Sequence, residues 1–215
     1  MNPLAALAQS PLWSQPPLAI VANLVVTLAF ILIAAAIVVD FVSYHRQDRA
    51  VIKSDNSFVE TGTMAAFFVV YYLVIKLRLL EVPTAGALRE ALVVAGVVLV
   101  VIGVAFNVYG RLVLKESWAN QIRIYEGQRL QTTGPFAVVR HPLYASLVWT
   151  FVGGSLIYAN PLSLLLTAAV FVPMMYARAK KEDAALLANF PGEYEAYKTK
   201  TGMFFPKAWR RQWRM

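Results

Sequence analysis

The sequence contains no cysteine and only two histidines, His45 and His141, in 215 residues. Disulfides, thiolate nucleophiles and Cys- or multi-His metal centres are therefore excluded, and no metal site is expected. No two of the eleven glycines stand two residues apart, so the GxGxxG dinucleotide fingerprint is missing, and no glycine-rich loop ends in Lys-Ser or Lys-Thr. A nucleotide-derived cofactor would not sit in a Rossmann or P-loop cradle. Residues 1–17 carry no Lys or Arg, so the basic start of a secretory signal is absent. Acidic residues are scarce, at 12 Asp+Glu against 20 Lys+Arg.

What the chain has in abundance is apolar surface. With 59% hydrophobic residues and a mean hydropathy of +0.56, it reads as an all-α integral membrane protein. Its basic excess must then be read by position rather than as a nucleic-acid footprint, and no nucleic-acid partner is expected. Leu18–Val39 is a 22-residue apolar run, long enough at 1.5 Å per residue to cross about 30 Å of hydrocarbon. Further spans are predicted over Thr61–Leu80, Ala91–Tyr109, Leu143–Ala159 and Leu162–Tyr176, giving about five. Lys76 and Arg78 are placed to snorkel at the end of the second. Gly96, Gly103 and Gly110 recur every seven residues in the third, which would admit a close neighbouring helix or offer a dimer face, or is ordinary glycine usage in a membrane helix. Only Asn160-Pro161 separates the last two spans, which predicts a tight helical hairpin, and Pro173 predicts a kink in the fifth.

Two units are expected: 1–110, holding spans one to three, and 111–215, holding a polar connection, spans four and five, and a C-terminal segment. In the latter, Tyr194, Tyr197, Phe204, Phe205, Trp209 and Trp213 among basic residues suggest a stretch lying on lipid headgroups. Lys and Arg number none before the first span, then three, three, five and none in the successive connections, and nine after the fifth. A non-cytoplasmic N-terminus puts 17 of the 20 on the cytoplasmic side, together with the third connection and the C-terminal segment.

The 30-residue connection Arg111–Arg140 is too long to be idle, and it ends in a turn, Thr133-Gly134-Pro135, then Arg140-His141 and Pro142, which suits the first turn of a helix. Taken alone, a His at such a boundary is more often a helix-end or interfacial residue than a catalyst. Arg178 and Glu182, four apart, could be a surface ion pair worth under about 1 kcal/mol. Their expected depth just below the bilayer surface, where unpaired charge is costly, favours function.

Together, RHPLY (Arg140–Tyr144), Asn160-Pro161, Arg178, Glu182-Asp183 and EYEAY (Glu193–Tyr197) resemble the C-terminal half of the isoprenylcysteine carboxyl methyltransferase family, within a wider membrane group that includes phospholipid N-methyltransferases. The resemblance covers roughly residues 120–207. It implies an S-adenosyl-L-methionine site formed by His141, Pro142, Leu143 and Tyr144, with Gln121, the run Gln128, Arg129, Leu130 and Gln131, the turn aromatic Phe136, and Glu182. Arg178 falls on the family's substrate-orienting arginine, the expected catalytic residue. The chain departs from the family pattern at Ser146 (commonly Gly), Asp183 (Glu), Phe136 (Tyr) and Gln128 (His).

The implied reaction is carboxyl O-methylation of an isoprenylcysteine-like lipophilic acceptor, with membrane lipids as the other partners. A carboxylate is ionised at neutral pH and needs a cation to orient it but no base. A phospholipid amine or small thiol would need a proton acceptor, for which Glu182 or His141 is available. A nicotinamide-dependent membrane reductase and a non-catalytic membrane subunit are the competing classes, and the sequence leaves oligomeric state open.

Overall fold

A computed structural model describes residues 17–44, 51–54, 58–114, 123–125 and 130–207, with side chains over 17–36, 62–114 and 130–207. Helices dominate: α1 (Pro17–Tyr44), α2 (Phe58–Lys76), α3 (Gly86–Leu114), α4 (Pro135–Val138), α5 (Pro142–Ile157), α6 (Pro161–Leu166), α7 (Val172–Asn189) and α8 (Glu193–Lys200). All five expected segments form helices. Three are long and apolar enough to cross a membrane: Pro17–Ala36 of α1, α3, and the continuous helix Pro161–Asn189. The chain is an integral membrane protein.

The other two apolar helices are shorter for identifiable reasons. Apolar residues continue to Leu80, but α2 stops at Lys76 because the backbone turns at Arg78 and Leu80, both at positive φ. Arg78 there binds Glu81 through Nε and Nη2, each at 2.6 Å, so it is tied to the turn. The 16 residues of α5 span only about 24 Å at 1.5 Å each. Pro161, lacking an N–H, cannot extend that helix and instead opens the next. Asn160 caps α6 by accepting from the Ser163 amide at 2.8 Å, and its side-chain nitrogen donates to the Leu79 carbonyl at 2.9 Å. The predicted hairpin is thereby fastened to the end of α2.

The irregularity expected at Pro173 takes the form of one π-helical turn, Thr167–Phe171, immediately before it. Proline crowds the carbonyl four residues back, and a widened turn relieves that contact without ending the helix. Pro161–Asn189 therefore runs on into its charged end.

α3 and α5 pack antiparallel along the repeated glycines. A Cβ on Gly96 would stand 2.5 Å from the Gly153 carbonyl, and one on Gly103 would overlap the Thr150 hydroxyl. Leu143 covers Gly110. The glycine face belongs to a neighbour within the same chain, not to a dimer partner. On the opposite side of α5, Phe67, Phe151 and Phe171 join α2, α5 and the π-turn: Phe67 stacks on Phe171 at 4.6 Å and meets Phe151 edge-on at 5.2 Å. Such contacts add about 0.5–1.5 kcal/mol each beyond area burial.

Two findings lie outside an all-helical reading. A two-stranded antiparallel ribbon pairs β1 (Val51–Ser54) with β2 (Arg123–Tyr125), joining the first and third connections. The segment after α8 also returns to the start of α5. There Val139 bridges Gly202, the Arg140 amide donates to the Gly202 carbonyl (2.8 Å), and the His141 amide donates to Met203 (3.2 Å). The residue before a proline is biased to extended backbone, so these amides are free of helix bonding and open to a passing strand. The expected headgroup belt is corrected accordingly: Tyr194, Tyr197 and Phe204 are buried, and Phe205 is exposed. Trp209 and Trp213 lie outside the described residues.

Candidate functional site

His141 is the hub. It precedes α5, is buried, and sits against two consecutive acidic residues of α7. Its Nε2 lies 2.6 Å from Asp183 Oδ1 and its Nδ1 lies 3.3 Å from Glu182 Oε2. Burial alone would press the imidazole toward neutrality, but hydrogen bonds to Asp183 and Glu182, reinforced by their charge, hold its pKa up at about 9. At neutral pH it is an imidazolium donating to both carboxylates.

The two carboxylates are not equivalent. Asp183 is buried and accepts a short hydrogen bond from the Tyr194 hydroxyl, while its Oδ2 faces Arg140 Nη2 at 3.5 Å. Arg140 in turn donates to the Thr201 carbonyl, so α7, α8 and the returning segment meet on Asp183. Burial and then the adjacent carboxylate push the Tyr194 phenol well above its ordinary range, which keeps it a donor. The Glu182 side chain is 35% exposed, so it is the more accessible of the two carboxylates.

One turn into α5, the Tyr144 ring stacks on His141 at 5.7 Å. Its hydroxyl accepts from Arg178 Nε at 3.0 Å and also interacts with Glu182. The Arg178 guanidinium lies 5.7 Å from the Tyr144 ring centroid, and its Nη1 reaches Met64 Sδ of α2 at 3.5 Å. Arg178 is buried between α5 and α2, and its charge acts on Glu182. His141, Tyr144, Arg178 and Glu182 thus lie close together.

The other expected residues divide. Pro142 is buried beneath the site, and Leu143 faces Gly110 of α3. Phe136 is buried in α4, and its carbonyl accepts from the Tyr197 hydroxyl at 2.6 Å. Burial drives that phenol up to about 12. Leu130 is half-buried, and Gln131 donates to Thr133 at 2.6 Å within its own turn. Gln121, Gln128 and Arg129 lie outside the described residues.

Sequence reasoning passed over Asp183 as a site residue, and also Asn107. Asn107 is fully buried on α3, donates to the Ser146 hydroxyl at 2.8 Å, and accepts from Arg111 Nε at 2.9 Å. An amide inside an apolar helix, four residues before an arginine, was the available signal.

A family model for the isoprenylcysteine carboxyl methyltransferase (ICMT) family matches residues 95–188, from within α3 to the end of α7. Over these residues the chain is similar to that family. Protein-S-isoprenylcysteine O-methyltransferase of Saccharomyces cerevisiae is 35% identical over 77 residues, 36% of this chain and 32% of that protein. A probable protein-S-isoprenylcysteine O-methyltransferase of Oryza sativa subsp. indica is 33% identical over 114 residues, 52% of this chain and 59% of its own. The nickel-cobalt-cadmium resistance protein NccN of Alcaligenes xylosoxydans xylosoxydans is 37% identical over 111 residues, 49% and 47% respectively. The chain spans from about a third to three fifths of these relatives. Within the ICMT region, the serine at 146 has a local explanation. It is fully buried, donates to the Leu143 carbonyl at 2.6 Å and accepts from Asn107, so its hydroxyl ties α5 to α3.

Proposed function

We propose that this chain is an S-adenosyl-L-methionine-dependent membrane methyltransferase that methylates the carboxylate of an isoprenylcysteine-like lipophilic acceptor. The observation that carries the reading is the 3.3 Å approach of His141 to Glu182, beside an Arg178 whose Nε donates to Tyr144, at the charged end of a membrane-crossing helix. The donor set suits this cofactor. Glu182, partly exposed, offers a carboxylate for an ammonium group or ribose hydroxyls, and His141 and Tyr144 offer flat faces and hydrogen-bonding groups beside it. Gln121, the run 128–131 and Phe136 are proposed to complete the cradle, with 111–215 as the cofactor half and 1–110 as the membrane body.

S-adenosyl-L-methionine supplies an electrophilic methyl group on a sulfonium sulfur. The protein's task is then to position the acceptor and exclude water. Arg178 serves as the catalytic residue by fixing an already ionised carboxylate, and the Tyr144 hydroxyl holds the guanidinium in place. With His141 held as an imidazolium by Asp183 and Glu182, Glu182 is the proton acceptor an amine or thiol would call on, whereas a carboxylate acceptor needs none. By the distribution of Lys and Arg, the site faces the cytoplasm and the N-terminus the other side.

Calorimetric titration of the detergent-purified protein tests the reading: S-adenosyl-L-methionine should bind and NADPH should not. Labelled methyl should then pass to a prenylcysteine carboxylate in preference to phospholipid amines, thiols or a tail-less carboxylate. Binding of NADPH alone, or of neither, would remove the proposal.

A further inference from the structure

The region matched by the family model begins at residue 95, yet the guanidinium assigned to the acceptor is also touched from α2, which lies before it. Arg178 is gripped on two sides. Its Nε donates to Tyr144, on the side of His141 and Glu182, and its Nη1 reaches the Met64 sulfur at 3.5 Å. A thioether is a weak acceptor, so a carboxylate arriving at the Nη1 edge would replace that contact at little cost.

Met64 also begins an apolar face. One turn on, Phe67 and Phe68 meet Phe171, at 4.6 and 6.1 Å between ring centroids. Phe171, Met175 and Arg178 follow one another at intervals of four and three on the helix opposite, with Phe171 and Met175 fully buried. Among the described residues Met64 packs with Phe67, Phe68 and Tyr71 of α2 against this cluster, whereas the opposite side of Arg178 is occupied by Tyr144, His141 and Glu182.

We infer that Met64 is a specificity-determining residue for the acceptor: it marks where the apolar part attached to the methylated carboxylate meets the protein, so that α2 selects the acceptor while the family-matched region holds the methyl donor. This rests on the methyltransferase reading above. Selection falls to a soft, three-torsion side chain that moulds to an unbranched or prenyl-like chain but offers no partner to a polar substituent. An acceptor bearing a hydroxyl or charge next to its carboxylate is discriminated against, because that group would be left without a partner against Met64 and Phe68.

The test uses the full-length protein in detergent or lipid nanodiscs, with Met64→Ala and Met64→Phe. Calorimetry gives the Kd for S-adenosyl-L-methionine, and steady-state methylation gives KM and kcat for a farnesylated and a short-chain cysteine carboxylate. Both variants should bind the methyl donor within about twofold of the unaltered chain. Met64→Ala should reduce the preference for the long-chain acceptor by about tenfold, the scale set by a few lost apolar contacts in a pocket. Met64→Phe should raise KM for that acceptor by a similar factor while kcat changes less. Because Met64 is only partly buried, at least one variant is expected to elute as folded protein, and either suffices. Unchanged acceptor KM and preference, or a loss confined to donor affinity, would overturn the assignment of Met64. Failure of the unaltered chain to bind S-adenosyl-L-methionine would instead overturn the methyltransferase reading beneath it.

Discussion

Replacing Asp183 with alanine is the most demanding test of the polar corner. The carboxylate accepts from His141 Nε2 at 2.6 Å and from the Tyr194 hydroxyl, and it faces Arg140 at 3.5 Å. All of these side chains are buried, so the substitution leaves an imidazolium, a guanidinium and a phenol without their shared acceptor. Removing one member of a buried charge cluster costs about 3–5 kcal/mol. The histidine sets a scale for what Asp183 and Glu182 do together: a pKa raised from 6.5 to about 9 corresponds to about 3 kcal/mol of native-state stabilisation. The folded-state pKa lies above the unfolded one, so this stabilisation is complete below about pH 6.5 and disappears as pH rises through about 9. Denaturant unfolding in mixed micelles, followed by tryptophan fluorescence from pH 6 to pH 10, should therefore show the unaltered chain weakening across that window. Asp183→Ala should begin about 3 kcal/mol lower at pH 6.5 and show a shallower slope. Asp183→Glu, which keeps the charge, should recover part of both. A variant within about 1 kcal/mol of the unaltered chain, or one with the same pH slope, would show that Asp183 does not hold His141 charged.

Three further outcomes are expected. Arg178→Ala should lower kcat by at least about a hundredfold, as loss of a positioning charge does, with the calorimetric Kd for S-adenosyl-L-methionine largely kept. Glu182→Gln should weaken donor binding by about tenfold, equivalent to about 1.4 kcal/mol, and cost less in unfolding than Asp183→Ala because that side chain is 35% exposed. Gly103→Val should destabilise by about 1–3 kcal/mol in the same unfolding assay, since its Cβ would overlap the Thr150 hydroxyl and crowd the Ser146 carbonyl.

What the sequence disclosed follows the range over which each signal acts. Hydropathy is local, so all five apolar segments were found, but the ends of α2 and α5 depend on positive φ at Arg78 and on the cap at Asn160, to which hydropathy is blind. The heptad of glycines marked a close-packing face on α3 without naming its partner, because the answer lies on α5, more than thirty residues away in sequence. His141, Tyr144, Arg178 and Glu182 were legible as short motifs at characteristic spacing. Asp183 was not, because its importance comes from Tyr194 and Arg140 arriving from other elements. The aromatic residues of α8 misled for a related reason. Tyr and Trp are suited equally to a headgroup layer and to a buried hydroxyl contact, and here Tyr194 and Tyr197 take the second role.

The pairing of Arg140 and His141 with Gly202 and Met203 has a consequence for biogenesis. Residue 203 follows every described helix in the chain, so the helices joined at this corner are all synthesised before the strand that closes it. Closure of that corner therefore depends on a strand that comes later in the chain than all the helices it fastens, so the order of synthesis places it after them.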